Sequence, residues 1–88
     1  MTTLHMIIGG LPTQAADGRT FEVVEPAHGQ VIAVIPSGAA EDVDRAVAAA
    51  QAAFEGEWRT WPAVRRGQTL LRLATLIRDH AEELSQLE

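Results

Sequence analysis

The chain has 88 residues, a formal net charge of −5, 47% hydrophobic and 22% charged residues, and no cysteine. This is ordinary globular composition for one small domain at most, and it excludes a disulfide framework, a thiolate nucleophile and a Cys-ligated zinc. All seven basic residues are Arg, spread from Arg19 to Arg78, so the basic stripe that a nucleic-acid surface needs is missing.

Leu4 to Ile8 is apolar but has no basic flank and is too short for a signal peptide or a membrane span. A cytoplasmic location is therefore the expectation. His5-Met6-Ile7-Ile8 reads as a short strand closed by Gly9-Gly10 and Pro12. Ala15 to Arg19 reads as a turn, with Asp17-Gly18 supplying the backbone freedom of a tight reversal. Thr20 to Val24 alternates and is rich in β-formers, His28-Gly29-Gln30 is a second turn, and Val31 to Ile35 forms a nearly continuous apolar run. The two runs predict a hairpin whose second strand is covered on both faces.

Ser37-Gly38 is expected to open a first helix. Glu41, Asp42 and Asp44 fall at its start, where acids favour the helix dipole. Val43, Ala46, Val47, Ala50 and Phe54 share one face of it. Gly56 ends it, and Glu57 to Trp61 forms a connector. Pro62 suits the start of a second helix that places Leu70, Leu73, Ala74, Ile77, Ala81 and Leu84 on one stripe. Gly67 inside that helix costs about 1 kcal/mol relative to Ala.

The expected division is thus 1–36 strand and hairpin, 37–56 first helix, 57–61 Trp connector and 62–88 second helix. The second helix runs to Glu88 with Glu82 and Glu83 at its negative end and Arg65 and Arg66 at its positive end, both the unfavourable way round. A helix so charged, with no stop signal, is expected to lean on further chain. These residues are accordingly read as the beginning of a larger protein.

Chemistry is sparse. His5, His28 and His80 lie far apart, and no Ser stands in a nucleophile context. His80 and Glu83 share a helical face and could give two metal ligands, but zinc wants three or four and no third is evident. No phosphate-loop spacing surrounds Gly9-Gly10 or Gly38. The acid pairs Glu82-Glu83 and Glu55/Glu57 sit in polar surroundings and read as solvated charge. Trp58 and Trp61 flank Arg59, an arrangement that either stacks on a ligand or, as large aromatics more often do, pins the loop. No catalytic, cofactor-binding or metal residue is assigned.

The ordered series of Gly18 to Ala33, Val34-Ile35-Pro36-Ser37-Gly38, Glu41 to Ala50, Ala53-Phe54, Trp58, Arg66-Gly67, Leu70 to Ala74, and Glu82 to Glu88 resembles the amino-terminal segment of the aldehyde dehydrogenase superfamily. Ile8-Gly9-Gly10 resembles that family's first strand. Glu25 and His28 stand where the family has Asn and Thr, Ala39 where Thr or Ser is frequent, and Trp61 and Val64 where a capping Ser and a Glu are usual. The resemblance implies an α/β parent fold, with this segment a short strand plus hairpin and two helices belonging to the cofactor-binding domain. It also implies NAD- or NADP-dependent oxidation of an aldehyde to an acid through a Cys nucleophile, a water-activating Glu, an oxyanion-stabilising Asn and a cofactor-binding Lys. All of these lie downstream of the segment resembled, so none is carried to a residue of this chain. The segment alone is expected to be non-catalytic and to bind no cofactor. Its expected partners are the remainder of the parent subunit and, through it, a homo-oligomer, with no nucleic acid and no membrane. The alternative expectation is a free-standing interaction protein that dimerises through its second helix, using the leucine stripe as a seam.

Overall fold

The computed structural model describes residues 2–88, so the part of the 1–36 expectation that falls on Met1 lies outside the described residues. Strands β1 (Thr2–Thr3), β2 (Met6–Ile8), β3 (Leu11–Thr13), β4 (Thr20–Val24) and β5 (Val31–Pro36) precede helices α1 (Ala40–Glu55), α2 (Ala63–Asp79) and α3 (Ala81–Leu87), with a 3-10 turn at Glu57–Thr60 between α1 and α2. Two compact units divide the chain, one up to Ala53 and the other Phe54–Glu88.

In the first unit, β1, β5 and β4 form a three-stranded sheet in that order, with β5 parallel to β1 and antiparallel to β4. The hairpin expected from the two β runs is present, with Phe21 opposite Ile35 and Val23 opposite Ala33. The more apolar run takes the central position, paired with β4 along its length and with β1 at Ala33 and Val34, and Ala33 is one of the buried apolar residues of the unit. Its covering is nonetheless incomplete, since Ile32 remains exposed.

The segment around Gly9-Gly10 departs from expectation. These glycines do not close a lone strand but turn it back, and β2 pairs antiparallel with β3 from Met6–Thr13 to Ile8–Leu11. Both have positive φ, 61° and 78°, which a two-residue turn of type I′ requires and which side chains other than glycine resist. Pro12 is tolerated in β3 because this two-stranded ribbon has a free edge.

Helix α1 starts at Ala40, not at Ser37, for a reason given below. In the second unit the single helix expected over 62–88 is broken at His80. His80 has φ −108° and ψ 19°, and its ring Nδ1 lies 2.8 Å from the Leu76 carbonyl that its own backbone N–H also reaches at 3.1 Å. A side chain competing for the i−4 carbonyl is a recognised way to disturb a helix. The break changes the electrostatics. Glu82 and Glu83 now lie in the first turn of α3, and Arg78 in the last turn of α2, each at the end its charge favours. Pro62 is the N-cap residue rather than the first helical position, and no side chain caps α2.

Few residues are buried. Ala15, Ala33 and Asp42 are the buried ones among the described residues, all in the first unit, while Leu70, Leu73, Ile77 and Leu84 of the expected stripe are exposed. Gly67 has nothing within 4 Å of where a Cβ would stand. In a peptide spanning 62–88, Gly67→Ala should therefore raise helix stability by about 1 kcal/mol. Circular dichroism reads this directly, and unchanged or lower helicity would contradict it.

Candidate functional site

The best-built cluster of polar groups is centred on a carboxylate that sequence reasoning treated only as one of three acids near a helix start. Asp42 is 2% exposed. It is the third residue of α1, and its Oδ2 accepts the Ala39 N–H at 2.9 Å, while the Ala39 carbonyl accepts the first helical N–H groups, those of Asp42 and Val43. This is the inner half of a capping box: the N3 side chain reaches back to the N-cap amide although Ala39 itself offers no capping oxygen. It explains why the helix begins three residues later than Ser37.

The other oxygen faces the loop between β3 and β4. Asp42 Oδ1 accepts the Ala16 N–H at 2.9 Å and a donor from Arg45 Nη2, and Arg45 Nη2 also reaches the Gln14 carbonyl at 3.3 Å. The loop is shaped by its own turn, in which the Gly18 N–H bonds to the Ala15 carbonyl at 2.9 Å. Asp17 then accepts both the Arg19 N–H and Arg19 Nε, each at 2.9 Å. The backbone N–H of Ala39, the Arg45 guanidinium and the Ala16 N–H together hold the Asp42 carboxyl below the ordinary aspartate value of 3.8, against the opposing effect of burial. Hydrogen bonds from Arg19 likewise lower Asp17.

The histidines are not brought together. His28 Nδ1 accepts the Gln30 N–H at 3.2 Å, which leaves the ring proton on Nε2, facing Glu25 Oε2. The pair that replaces the Thr and Asn of the resembled turn thus supplies side-chain hydrogen bonds of its own. His80 is engaged at the helix break, so it and Glu83 do not share one continuous helix. Among the described residues no three of His, Cys, Asp and Glu cluster as metal ligands would.

In the second unit the ring centroids of Trp58 and Trp61 are 5.5 Å apart, and the Arg65 guanidinium lies 3.6 Å from the Trp61 centroid. Arg59 approaches Phe54 at 5.9 Å. The two Trp rings therefore pack on each other and Trp61 on Arg65, while Trp58 stays 41% exposed, so burial of both rings is not what holds the connector.

Two hollows occur in the first unit. One, of about 360 Å³, lies between the Ile7 to Gly10 turn and the Ala46, Ala49, Ala50, Ala53 face of α1, and presents no polar side chain. The other, of about 100 Å³, is lined by His5, Gln14, Arg19 and Thr20 among others. A dinucleotide needs a nest of backbone N–H groups or cations around its phosphates. The first hollow offers no charged side chain, and the second is small. No helix is long and apolar enough to cross a membrane among the described residues.

A model of the aldehyde dehydrogenase family matches residues 13–88. Mitochondrial benzaldehyde dehydrogenase of Antirrhinum majus is 45% identical over 84 residues, which is 94% of this chain and 16% of that protein. Among solved structures, the NAD+ complex of an aldehyde dehydrogenase from Bacillus cereus superposes with a TM-score of 0.91 at 42% identity, over 97% of this chain and 18% of that one. The NAD-dependent aldehyde dehydrogenase of Sinorhizobium meliloti gives 0.90 at 36% identity, over 96% and 17%. The chain thus spans about a sixth of the length of these relatives.

The Asp42 cluster makes a pH prediction. A carboxyl with a depressed folded-state pKa stabilises the fold above its unfolded value and loses that contribution as pH falls through the folded value. The first unit should therefore hold its loop at pH 7 and release it below the ordinary aspartate value of 3.8. Amide exchange at Ala16 and Ala39 should be slow at pH 7 and faster at pH 3 than the intrinsic pH dependence of exchange allows. Asp42→Asn should remove most of the pH 7 protection and flatten this dependence. Equal protection in Asp42→Asn and the parent chain at pH 7 would contradict the account.

Proposed function

Because the chain belongs to the aldehyde dehydrogenase family, we propose that it forms the amino-terminal scaffold of a subunit that oxidises an aldehyde to a carboxylic acid with NAD or NADP. The observation that carries the reading is the apolar surface left uncovered. Leu70 and Leu71 of α2 are 58% and 70% exposed, and Val43 and Val47 of α1 are 58% and 61% exposed. Fully burying a side chain of this kind contributes about 1.5–3 kcal/mol. A soluble chain presenting many of them together has a surface made to be covered.

The segment itself does no chemistry in this reading. It has no cysteine to attack a carbonyl. Its part is to form the outer layer of the cofactor-binding domain, in the divisions 1–36, 37–56, 57–61 and 62–88, the last interrupted at His80. The remainder of the subunit is its partner, a homo-oligomer is the assembly, and the cytoplasm is the location. The likeness to relatives named as NAD-dependent or solved with NAD+ supports a nicotinamide cofactor for the whole protein.

Intact mass and activity of the native gene product test this. A subunit several times heavier than 9.5 kDa that reduces NAD or NADP only when an aldehyde is added is the expected result. The 88-residue chain alone should show no such activity, bind a dye for exposed apolar surface, and unfold without a sharp transition. A native product of 9.5 kDa with a cooperative transition would reject the proposal. If that product also sedimented as a dimer, the exposed stripe of α2 would be its seam, and an interaction protein would be the better reading.

A further inference from the structure

Asp17-Gly18 is the one Asp-Gly step in the chain, which contains no asparagine. In such a step the Gly nitrogen can attack the carboxyl carbon of the Asp side chain. The N–Cγ bond forms, the C–OH bond of the acid breaks, and the amide proton leaves with the hydroxyl as water. The cyclic imide then takes water back, and opening at the backbone carbonyl routes the main chain through Cβ as isoaspartate. The sequence of steps is a net isomerisation and consumes no other reagent.

Bulk does not shield this step. Nothing lies within 4 Å of where a Gly18 Cβ would stand, and the Asp17 side chain is 40% exposed. Gly18 has φ 74°, so the turn itself calls for the residue that leaves the nitrogen uncrowded. Hydrogen bonds are what restrain the reaction, and they reach both reacting groups. The Gly18 N–H, on the nitrogen that would attack, donates to the Ala15 carbonyl at 2.9 Å, which holds its proton and its peptide plane in place. Asp17 Oδ1 accepts the Arg19 N–H and Oδ2 accepts Arg19 Nε, each at 2.9 Å. Both oxygens are thus acceptors, as in an ionised carboxylate. These bonds keep the carboxyl below the ordinary aspartate value of 3.8. A carboxylate has no hydroxyl to lose, so only the protonated minority can react.

We propose that Asp17-Gly18 is a latent modification site, at which isoaspartate forms once the Arg19 clasp on the Asp17 carboxylate is released. Arg19 is a positioning residue in this account, since it takes no part in the bond changes. The consequence falls on the loop. Ala15 is buried, the Ala16 N–H is held by Asp42, and the Arg19 carbonyl accepts the Ser37 N–H at 2.8 Å. One extra main-chain atom between these fixed points displaces the loop, so isomerisation at Asp17 works against the Asp42 contact.

The test ages the native gene product at pH 7, as wild type and as Arg19→Met, and follows isoaspartate at position 17 by peptide mapping. Wild type is also aged in urea, and amide exchange at Ala16 is measured on fresh folded samples. Arg19 is 75% exposed, so its truncation leaves the fold in place. Folded wild type should isomerise several-fold more slowly than wild type in urea. Arg19→Met keeps the backbone N–H but loses the Nε donor. It should isomerise several-fold faster than folded wild type, with Ala16 exchange unchanged. Folded wild type reacting as fast as the urea sample would overturn the proposal, as would equal rates for Arg19→Met and wild type. A faster rate in Arg19→Met matched by equally faster Ala16 exchange would also overturn it, because opening of the turn would then control the reaction instead of the clasp.

Discussion

The first unit depends on a single carboxylate that serves two elements at once. Asp42 closes the amino end of α1 through Ala39 and holds the loop after β3 through Ala16, with Arg45 completing the pairing and reaching Gln14. A buried ionised group is unfavourable unless its lone pairs are filled by donors. Here two backbone amides and a guanidinium fill them. The loop that leads into the central hairpin is thereby tied to the helix that follows it, 26 residues further along the chain. Two small buried residues complete the arrangement, Ala15 beside the loop amide and Ala33 in the middle of β5.

Polar organisation is thus more complete than apolar burial. The turns have their hydrogen bonds, the helix start is satisfied from within, and even the altered turn at Glu25 and His28 finds a local solution. The large side chains, in contrast, face outward on both units. Small domains bury a limited share of their surface in any case, but a leucine stripe half exposed along a 17-residue helix is a different matter. Local geometry on both units is set by the chain's own hydrogen bonds more than by burial of its large side chains.

The second unit shows how a local hydrogen bond can reverse an electrostatic argument. As one helix, residues 62–88 would place acids and bases at the wrong ends. The engagement of the Leu76 carbonyl by His80 divides it, and the acids then begin one helix while Arg78 ends the other. The placement of the acids thus fits the break, whereas Arg65 and Arg66 remain at the positive end of α2. The break went unread because the apolar spacing from Leu70 to Leu84 runs through His80 without a change of phase, and periodicity alone cannot see a side chain competing with its own backbone.

What the sequence determined by itself was the central hairpin and the two helical stretches. Alternation in Thr20–Val24, the apolar run from Val31, the turn residues between them, and helical spacing either side of Gly56 and Pro62 all act over a few residues, and local chemistry was enough to read them. The family resemblance was legible for the same reason, as a series of such elements in order. Tertiary structure decided what depends on residues distant in sequence. It paired β1 with β5 in parallel, made Gly9-Gly10 the turn of a second hairpin, and gathered the Ala16 amide, the Ala39 amide and Arg45 around Asp42. An aspartate at the start of a helix looks the same in sequence whether it faces water or a loop 26 residues away. Only the fold brings the donors to it, and only with them in place can the charge be buried.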